Sequence, residues 1–404
     1  MIFKIAFRNV FRQKRRTILT ALSMFGGFVL AAFFIGWADG TYNNIIDTFT
    51  RCNLGHVQVH EKTYLDRPSI YKTIDNLPGI EEHLNTAKKI TSWTPRLFSA
   101  GLVSVRDKSA GTRIIGIDPE KENRTTKFAD KIVAGRSLSK APAHEVILGK
   151  GLAKILKAGL EDEIVVLSQG ADGSIANDMY KIVGILDSGD EISDRASFYL
   201  HIQDAQELLV LEGKIHEIAI TVKHLGNVDK VNKTLQEKIN DPRLAVDPWQ
   251  VFARSFYVAM KADKEGMWVM LVIIVLVVAV GVLNTVLMSV LERRREYGVL
   301  KAVGTKPGQI VKMVLAEVNI MAVVCIILGA GVGLLLNYIL SKHGLTLPDP
   351  ISYGGMQFQH MQAEINARSF YIPAITILSV ASLVSLFPAV KAAKTDPARS
   401  MRMH

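Results

Sequence analysis

The sequence predicts a membrane protein of four transmembrane α-helices, with one large α+β domain inserted between the first and the second. Three observations predict it. Four uncharged apolar runs, Thr17–Trp37, Met267–Leu291, Val318–Ser341 and Ser369–Val390, each reach roughly the 20 residues that cross a bilayer as a helix. Between the first two runs lie about 225 residues of ordinary polarity, too many for a connector and enough for a domain. Basic residues collect beside particular ends of the runs: Lys4, Arg8, Arg12, Lys14, Arg15 and Arg16 before the first, Arg293–Arg295 after the second, and Lys391, Lys394, Arg399 and Arg402 after the last. Such clusters mark cytoplasmic ends, so both termini are expected inside and the large domain outside.

Composition agrees. Of 404 residues, 49% are hydrophobic and 21% charged, and the mean hydropathy is +0.21. That is too apolar for a soluble chain and too charged for one that is all membrane. The net charge of +10 sits next to the spans, which suits attraction to anionic lipid and argues against nucleic acid as a partner. The two cysteines, Cys52 and Cys325, fall beside and inside predicted spans, a placement that argues against an intramolecular disulfide.

Taken in order, residues 1–16 alternate Ile2, Phe3, Ile5, Phe7, Val10 and Phe11 with Lys and Arg, an amphipathic helix for the cytoplasmic interface. Residues 17–38 form the first span, a retained signal anchor because its apolar core is too long for a signal peptide. Residues 39–265 form the outer domain. Short alternating strands are expected at His56–His60, Gly101–Val105, Arg113–Ile117, Glu145–Leu148, Ile164–Ser168, Lys181–Leu186 and Glu217–Lys223, and helices at Gly151–Ala158, Asp204–Leu211 and Val228–Ile239. Gly159 is expected to end the first of these helices, and Gly184 to mark a bulge or close approach within a strand.

Residues 266–291 form the second span. Sixteen of the positions in Met267–Leu291 are Val, Ile or Leu, so insertion is favoured by several kcal/mol, at roughly 0.3–0.6 kcal/mol each. A continuous helix is expected from about Ser255 to Glu296, a stiff element. Residues 292–316 then turn abruptly polar. Val299, Leu300 and Val303, followed by Ile310, Met313 and Val314, recur at helical spacing, so a short amphipathic helix breaks near Gly304–Gly308 and restarts at Pro307. Residues 317–341 form the third span, with Gly329 and Gly333 at the spacing that favours helix packing. Residues 342–368 form a second outer loop, residues 369–390 the fourth span, and residues 391–404 a cytoplasmic tail.

Catalytic chemistry is not found. The string nearest to a phosphate-binding loop, Gly298 to Pro307, has its glycines one position too far apart and Pro307 where a magnesium-binding hydroxyl belongs. His216-Glu217 begins like a zinc-protease motif without its second histidine, and His56 and His60 on a strand stand roughly 13 Å apart. No metal, no bound cofactor and no enzyme activity are expected in this chain.

Glu292-Arg293-Arg294-Arg295-Glu296-Tyr297-Gly298-Val299-Leu300-Lys301-Ala302-Val303-Gly304 resembles the coupling segment of the MacB–FtsX–LolC/LolE permeases, the mechanotransmission branch of ABC transporters. Ile132–Leu138, Glu145–Leu167 and Tyr180–Gly189 are similar to that family's periplasmic core domain, with its porter and sabre parts, and the tail from Phe387 to Arg402 matches its closing sequence. The resemblance implies an inner-membrane permease that pairs with a second permease, as a homodimer or a related heterodimer. It also implies a separate cytoplasmic ABC ATPase dimer that holds ATP and magnesium and docks on the coupling segment. There Glu292, Arg293, Glu296 and Lys301 would supply charged contacts, and Gly298 and Gly304 close approach.

Three functions follow from the resemblance: release of a lipoprotein or lipid from the membrane, export of periplasmic substrates in the manner of MacB, or control of a cell-wall hydrolase in the manner of FtsX. The size of the outer domain disfavours the third. The lack of an ATPase in this chain favours the first over the second. A periplasmic carrier or adaptor protein is implied as a further partner. Lipoprotein-releasing permeases recruit theirs with a proline-bearing loop, whereas Ser168–Met179 here is proline-free and glycine-rich. Aromatic and apolar residues at the outer ends of the spans suggest a cavity for an amphiphile between paired protomers, lined by Phe33, Trp37, Met260, Met267, Trp268 and Tyr353.

Overall fold

The computed structural model describes residues 14–353 and 356–395. Most of the expected amphipathic start, Gly354-Gly355 and the end of the tail lie outside the described residues. The chain divides into two compact units, one made of Asn43–Met260 with Pro348–Gln359, the other of the residues up to Tyr42, Lys261–Leu347 and those from His360 onward.

The first helix, α1, runs Lys14–Phe49 and closes in a π-helical turn, Thr50–Leu54. The α+β unit follows. Its elements are β1 (Val57–Glu61), α2 (Leu77–Thr86), β2 (Ile90–Val105), β3 (Lys108–Ile117), α3 (Pro119–Thr126), β4 (Ile132–Gly135), β5 (Glu145–Gly149), α4 (Lys150–Leu156), β6 (Glu163–Gln169), β7 (Ile175–Leu186), α5 (Glu191–Asp194), β8 (Ser197–His201), α6 (Ile202–Leu209), β9 (Glu217–Val222), α7 (Val228–Ile239), β10 (Leu244–Pro248) and α8 (Trp249–Phe252). Ten strands form one sheet in the order β10-β1-β9-β2-β3-β8-β5-β7-β4, and β6 pairs with both β2 and β7. The β3–β8 and β5–β7 pairs are parallel and the remaining pairs antiparallel.

Strand alternation gives this sheet two faces. Leu97, Ile114, Phe198 and Leu200 point to one side, where Leu152 and Leu156 of α4 and Ala205, Leu208 and Leu209 of α6 close the main core. Phe98, Ile115 and Tyr199 point to the other, against Phe128 and Leu138. Gly184 lies at a register shift between β5 and β7, and a Cβ there would stand 2.6 Å from the Arg136 carbonyl oxygen. Gly159, by contrast, does not end its helix. Helix α4 stops at Leu156, and Lys157 takes the left-handed turn at φ 50°.

Among the described residues, the helical unit is built on four long helices. Besides α1 these are α9 (Arg254–Glu292), α11 (Pro307–His343) and α12 (Arg368–Ala393), with the short α10 (Arg294–Ala302) between α9 and α11. All four are long and apolar enough to cross a membrane. Each turns a narrow stripe inward at four-residue spacing: Met24, Phe28 and Ala32 on α1; Val278, Val282, Val286 and Val290 on α9; Ile310, Val314, Val318 and Ala322 on α11; Ile377 and Ala381 on α12. The opposite faces expose Val277, Val280, Ile327, Leu328 and Leu383, as lipid-facing helices must. A Cβ on Gly329 would stand 2.8 Å from Phe28, and one on Gly333 would stand 3.3 Å from Ala32. Both glycines therefore let α11 approach α1 within one chain.

Two expectations are corrected. The second helix stops at Glu292 instead of continuing to Glu296, since Arg293 leaves helical geometry at φ −91°, ψ 13°. The segment 342–368 is not a plain loop but contains a hairpin, β11 (Leu345–Tyr353) and β12 (Met356–Met361).

Candidate functional site

Between α9 and α11 the chain folds α10 back onto the helical unit, and the phase of that short helix decides what each residue faces. Tyr297 and Gly298 are buried, and Tyr297 joins the core of the bundle. Arg293 is only 8% exposed. Its Nη1 donates to both carboxylate oxygens of Glu317, at 3.0 Å each, its Nε donates to Glu296 at 3.0 Å, and its guanidinium lies 5.5 Å from the centre of the Tyr297 ring. Burial works against the charged guanidinium, but Tyr297, Glu317 and Glu296 outweigh it and raise the Arg293 pKa. Burial likewise pushes the Tyr297 hydroxyl up to about 12. The Lys301 amine donates to the carbonyls of Ala393 and Thr395, at 3.0 and 2.8 Å.

Arg293, Gly298 and Lys301 therefore turn inward, contrary to the expectation that they face a partner. Glu292 and Gly304 are exposed, the latter at φ +101°. The outward stripe is Arg295, Val299, Ala302, Val303 and Lys306, in which Val303 is 83% exposed.

The residues expected to line a substrate cavity are divided. Met260 and Met267 are buried, at 3% and 7%, and so unavailable to a ligand. They fall in different units. Phe33 and Trp37 are half-buried, and the Trp37 indole N–H finds no acceptor among the described residues. Trp268 is 43% exposed, with Arg368 over its ring at 5.9 Å. The Tyr353 side chain lies outside what is described.

Sequence reading missed the ionic cluster beside them. Asp39 on α1 is buried; it accepts from Asn366 Nδ2 at 3.1 Å and has Lys264 and Arg368 at 3.9 and 4.0 Å. The signal was available, since Asp39 follows the first apolar run directly, but a charge there reads as the end of the span.

In the α+β unit, Arg96 on β2 is buried in a fork. It donates to Glu122 on α3 through Nη2 at 2.7 Å and Nε at 3.1 Å, and to Glu217 on β9 through Nη1 at 3.3 Å. Thr126 adds a hydrogen bond to Glu122 at 2.8 Å. Burial raises both carboxyl pKa values, but the two-pronged contact with Arg96 pulls Glu122 below the ordinary value, whereas Glu217 stays above it. The cluster borders a cavity of about 950 Å³, whose walls balance Arg96, Arg113 and Lys131 against Glu122, Asp190 and Glu217.

Farther along the sheet, the β6–β7 hairpin buries Ile164, Val166 and Tyr180 on one side and exposes Val165, Leu167, Ile175 and Met179 on the other. Its turn runs through the proline-free Gly170–Ser174, closed by Gly170 N–H donating to the Ser174 carbonyl at 3.0 Å. Among the described residues no group of three or more His, Cys, Asp or Glu side chains is placed to hold a metal ion.

Comparison with known proteins adds the following. The family model described as a MacB-like periplasmic core domain matches residues 17–238, and that of the FtsX-like permease C-terminal matches residues 268–397. The lipoprotein-releasing system transmembrane protein LolC of Neisseria meningitidis is 23% identical, over 78% of this chain and 79% of its own length. The macrolide export ATP-binding/permease protein MacB of Campylobacter jejuni is also 23% identical, over 98% of this chain but 60% of its own length. Among solved structures, the periplasmic region of MacB from Actinobacillus actinomycetemcomitans matches with a TM-score of 0.37 and 14% identity, over 50% of this chain and 94% of that one.

Proposed function

Since this chain belongs to the ABC transporter permeases that combine a MacB-like periplasmic core domain with an FtsX-like C-terminal region, we propose that it relays ATP-driven motion from a separate cytoplasmic ATPase to that core domain, to free a lipoprotein or lipid from the outer face of the inner membrane. ATP and magnesium sit on the ATPase, and both termini of this chain lie on the same, cytoplasmic side. A second permease completes the complex.

The observation that carries the relay is the outward stripe of α10 and of the turn that follows it. Two antiparallel spans can be joined by a few residues, yet this chain builds a nine-residue helix and leaves Arg295, Val299, Val303 and Lys306 uncovered. Helix α9 then supplies an unbroken rod of 39 residues, about 58 Å at 1.5 Å per residue. The cargo reading rests on chemistry at the far ends of the spans. Among the described residues no ionisable chain runs through the middle of the bundle to offer a hydrophilic solute a polar route, whereas Trp268 and its neighbours offer apolar surface. A carrier or adaptor protein would meet the apolar side of the β6–β7 hairpin.

The test is Val303→Asp in the full-length chain. Placing a carboxylate on the outward stripe should lower the amount of ATPase that co-purifies by tenfold or more while membrane insertion is retained. Undiminished co-purification would remove the basis for docking at α10.

A further inference from the structure

We propose that Arg293 is the positioning residue of the coupling segment. It locks α10 to α11, so that a push on α10 reaches the third long helix instead of being absorbed at the break after α9. The inference rests on the coupling reading above and assigns Arg293 a place inside the relay, away from the ATPase surface.

The reason is mechanical. Helix α9 ends at Glu292 and α10 begins at Arg294, so the two are joined through a single non-helical residue. A one-residue break bends easily unless something spans it. Here the residue in the break carries its own brace: one guanidinium nitrogen is shared equally by the two Glu317 oxygens on α11, and another holds Glu296 on α10. The paired side chains of Arg293 and Glu317 are 9% and 13% exposed. A planar guanidinium offers its N–H groups in fixed directions, so α10 cannot rotate against α11 without breaking these bonds. Breaking them would strand a charge away from water, which resists partial movement.

The second anchor of α10 differs in kind. Lys301 holds two carbonyl oxygens at the end of α12 with a freely rotating ammonium, so it tethers without fixing an angle. Beside Glu317 lies a small cavity of about 40 Å³, lined by Thr17, Thr20, Thr285, Ser289 and Tyr297 among others. A space of that size accommodates a water or two beside the carboxylate.

The experiment uses the affinity-tagged full-length chain, expressed in its own host and purified in lipid nanodiscs with the ATPase that accompanies it. Four variants are compared with wild type: Arg293→Gln, Arg293→Lys, Glu317→Gln and the exchanged pair Arg293→Glu with Glu317→Arg. The expected result is ATPase bound within twofold of wild type, with ATP turnover at saturating ATP lowered about tenfold and KM for ATP unchanged. Arg293→Lys, which keeps the charge but not the fork, should recover only part of the turnover. The exchanged pair should recover more than either Gln variant. A purely structural role would lower bound ATPase and turnover together.

The inference is overturned if Arg293→Gln loses the bound ATPase, which would make it a docking contact. It is equally overturned if Glu317→Gln retains turnover within twofold, or if the exchanged pair is no better than the single variants. Failure of the coupling reading itself looks different: the wild-type chain would then bring no ATPase with it, or Val303→Asp would still carry it.

Discussion

Replacing Glu122 by alanine isolates the energetics of the charged fork in the core domain. The substitution takes from the buried Arg96 the partner that grips it at 2.7 and 3.1 Å, and leaves only Glu217 at 3.3 Å. Glu217 is a poor replacement, because burial already biases it toward its neutral form. Removing one member of a buried ion pair costs about 3–5 kcal/mol, mostly the desolvation of the charge left behind. The Thr126 hydroxyl retains the Glu122 backbone carbonyl at 3.1 Å and adds little. In a domain of this size each kcal/mol moves the melting temperature by about 2–4 °C, so a fall of roughly 6–20 °C is expected. Scanning calorimetry of the full-length chain in detergent would read it. Removing all three charges, with Arg96→Met, Glu122→Leu and Glu217→Gln together, should restore most of the loss, since apolar replacement of a buried ion cluster is often close to neutral. A fall of less than about 2 °C for Glu122→Ala, or a triple variant as unstable as the single, would refute this account.

Two further outcomes are expected. His216 accepts from the Phe98 N–H through Nδ1 at 3.0 Å and donates from Nε2 to the Ile70 carbonyl at 3.1 Å, so its neutral ring is fully used, and burial holds its pKa below the ordinary value. A base with a depressed folded pKa contributes stability that is full above the unfolded value of about 6.5 and is lost as pH falls below it; the melting temperature of wild type relative to His216→Gln should therefore drop between pH 7.5 and pH 5, and a constant difference would exclude the effect. A photo-crosslinking amino acid in place of Trp268 should capture lipid or lipoprotein in intact cells, whereas capture of soluble molecules alone would favour MacB-like export.

The four long helices were legible because an uncharged apolar run of sufficient length has few other fates. So were β5, β6 and β9, whose Val, Ile and Leu alternate or cluster between turn residues. Other elements were not. Helix α3 reads Pro-Glu-Lys-Glu-Asn-Arg-Thr-Thr and shows no apolar stripe, because what it buries is Glu122 against Arg96. Strand β10 contains a proline, and β8 is only five residues long. In residues 292–304 the residue types did not give the directions of the side chains. A break of one residue at Arg293 resets the phase of α10, and with it which charges turn inward. Glu317 escaped notice because its partner is 24 positions away in sequence, a distance at which no local pattern operates.

The inward stripes also bear on how such a chain can drift. Within the most apolar stretch of each long helix, 39%, 22%, 28% and 22% of positions are buried inside the protein. Shape matters at those positions: a methyl group added at Gly329 meets Phe28. At the others the chain's own packing asks only for apolarity, and valine, isoleucine, leucine and phenylalanine are interchangeable there. A bundle of this kind stores little information per residue in its membrane-facing surface. Lineages can rewrite most of that surface without disturbing a single internal contact, so an identity of 23% to LolC is compatible with an unchanged helical frame.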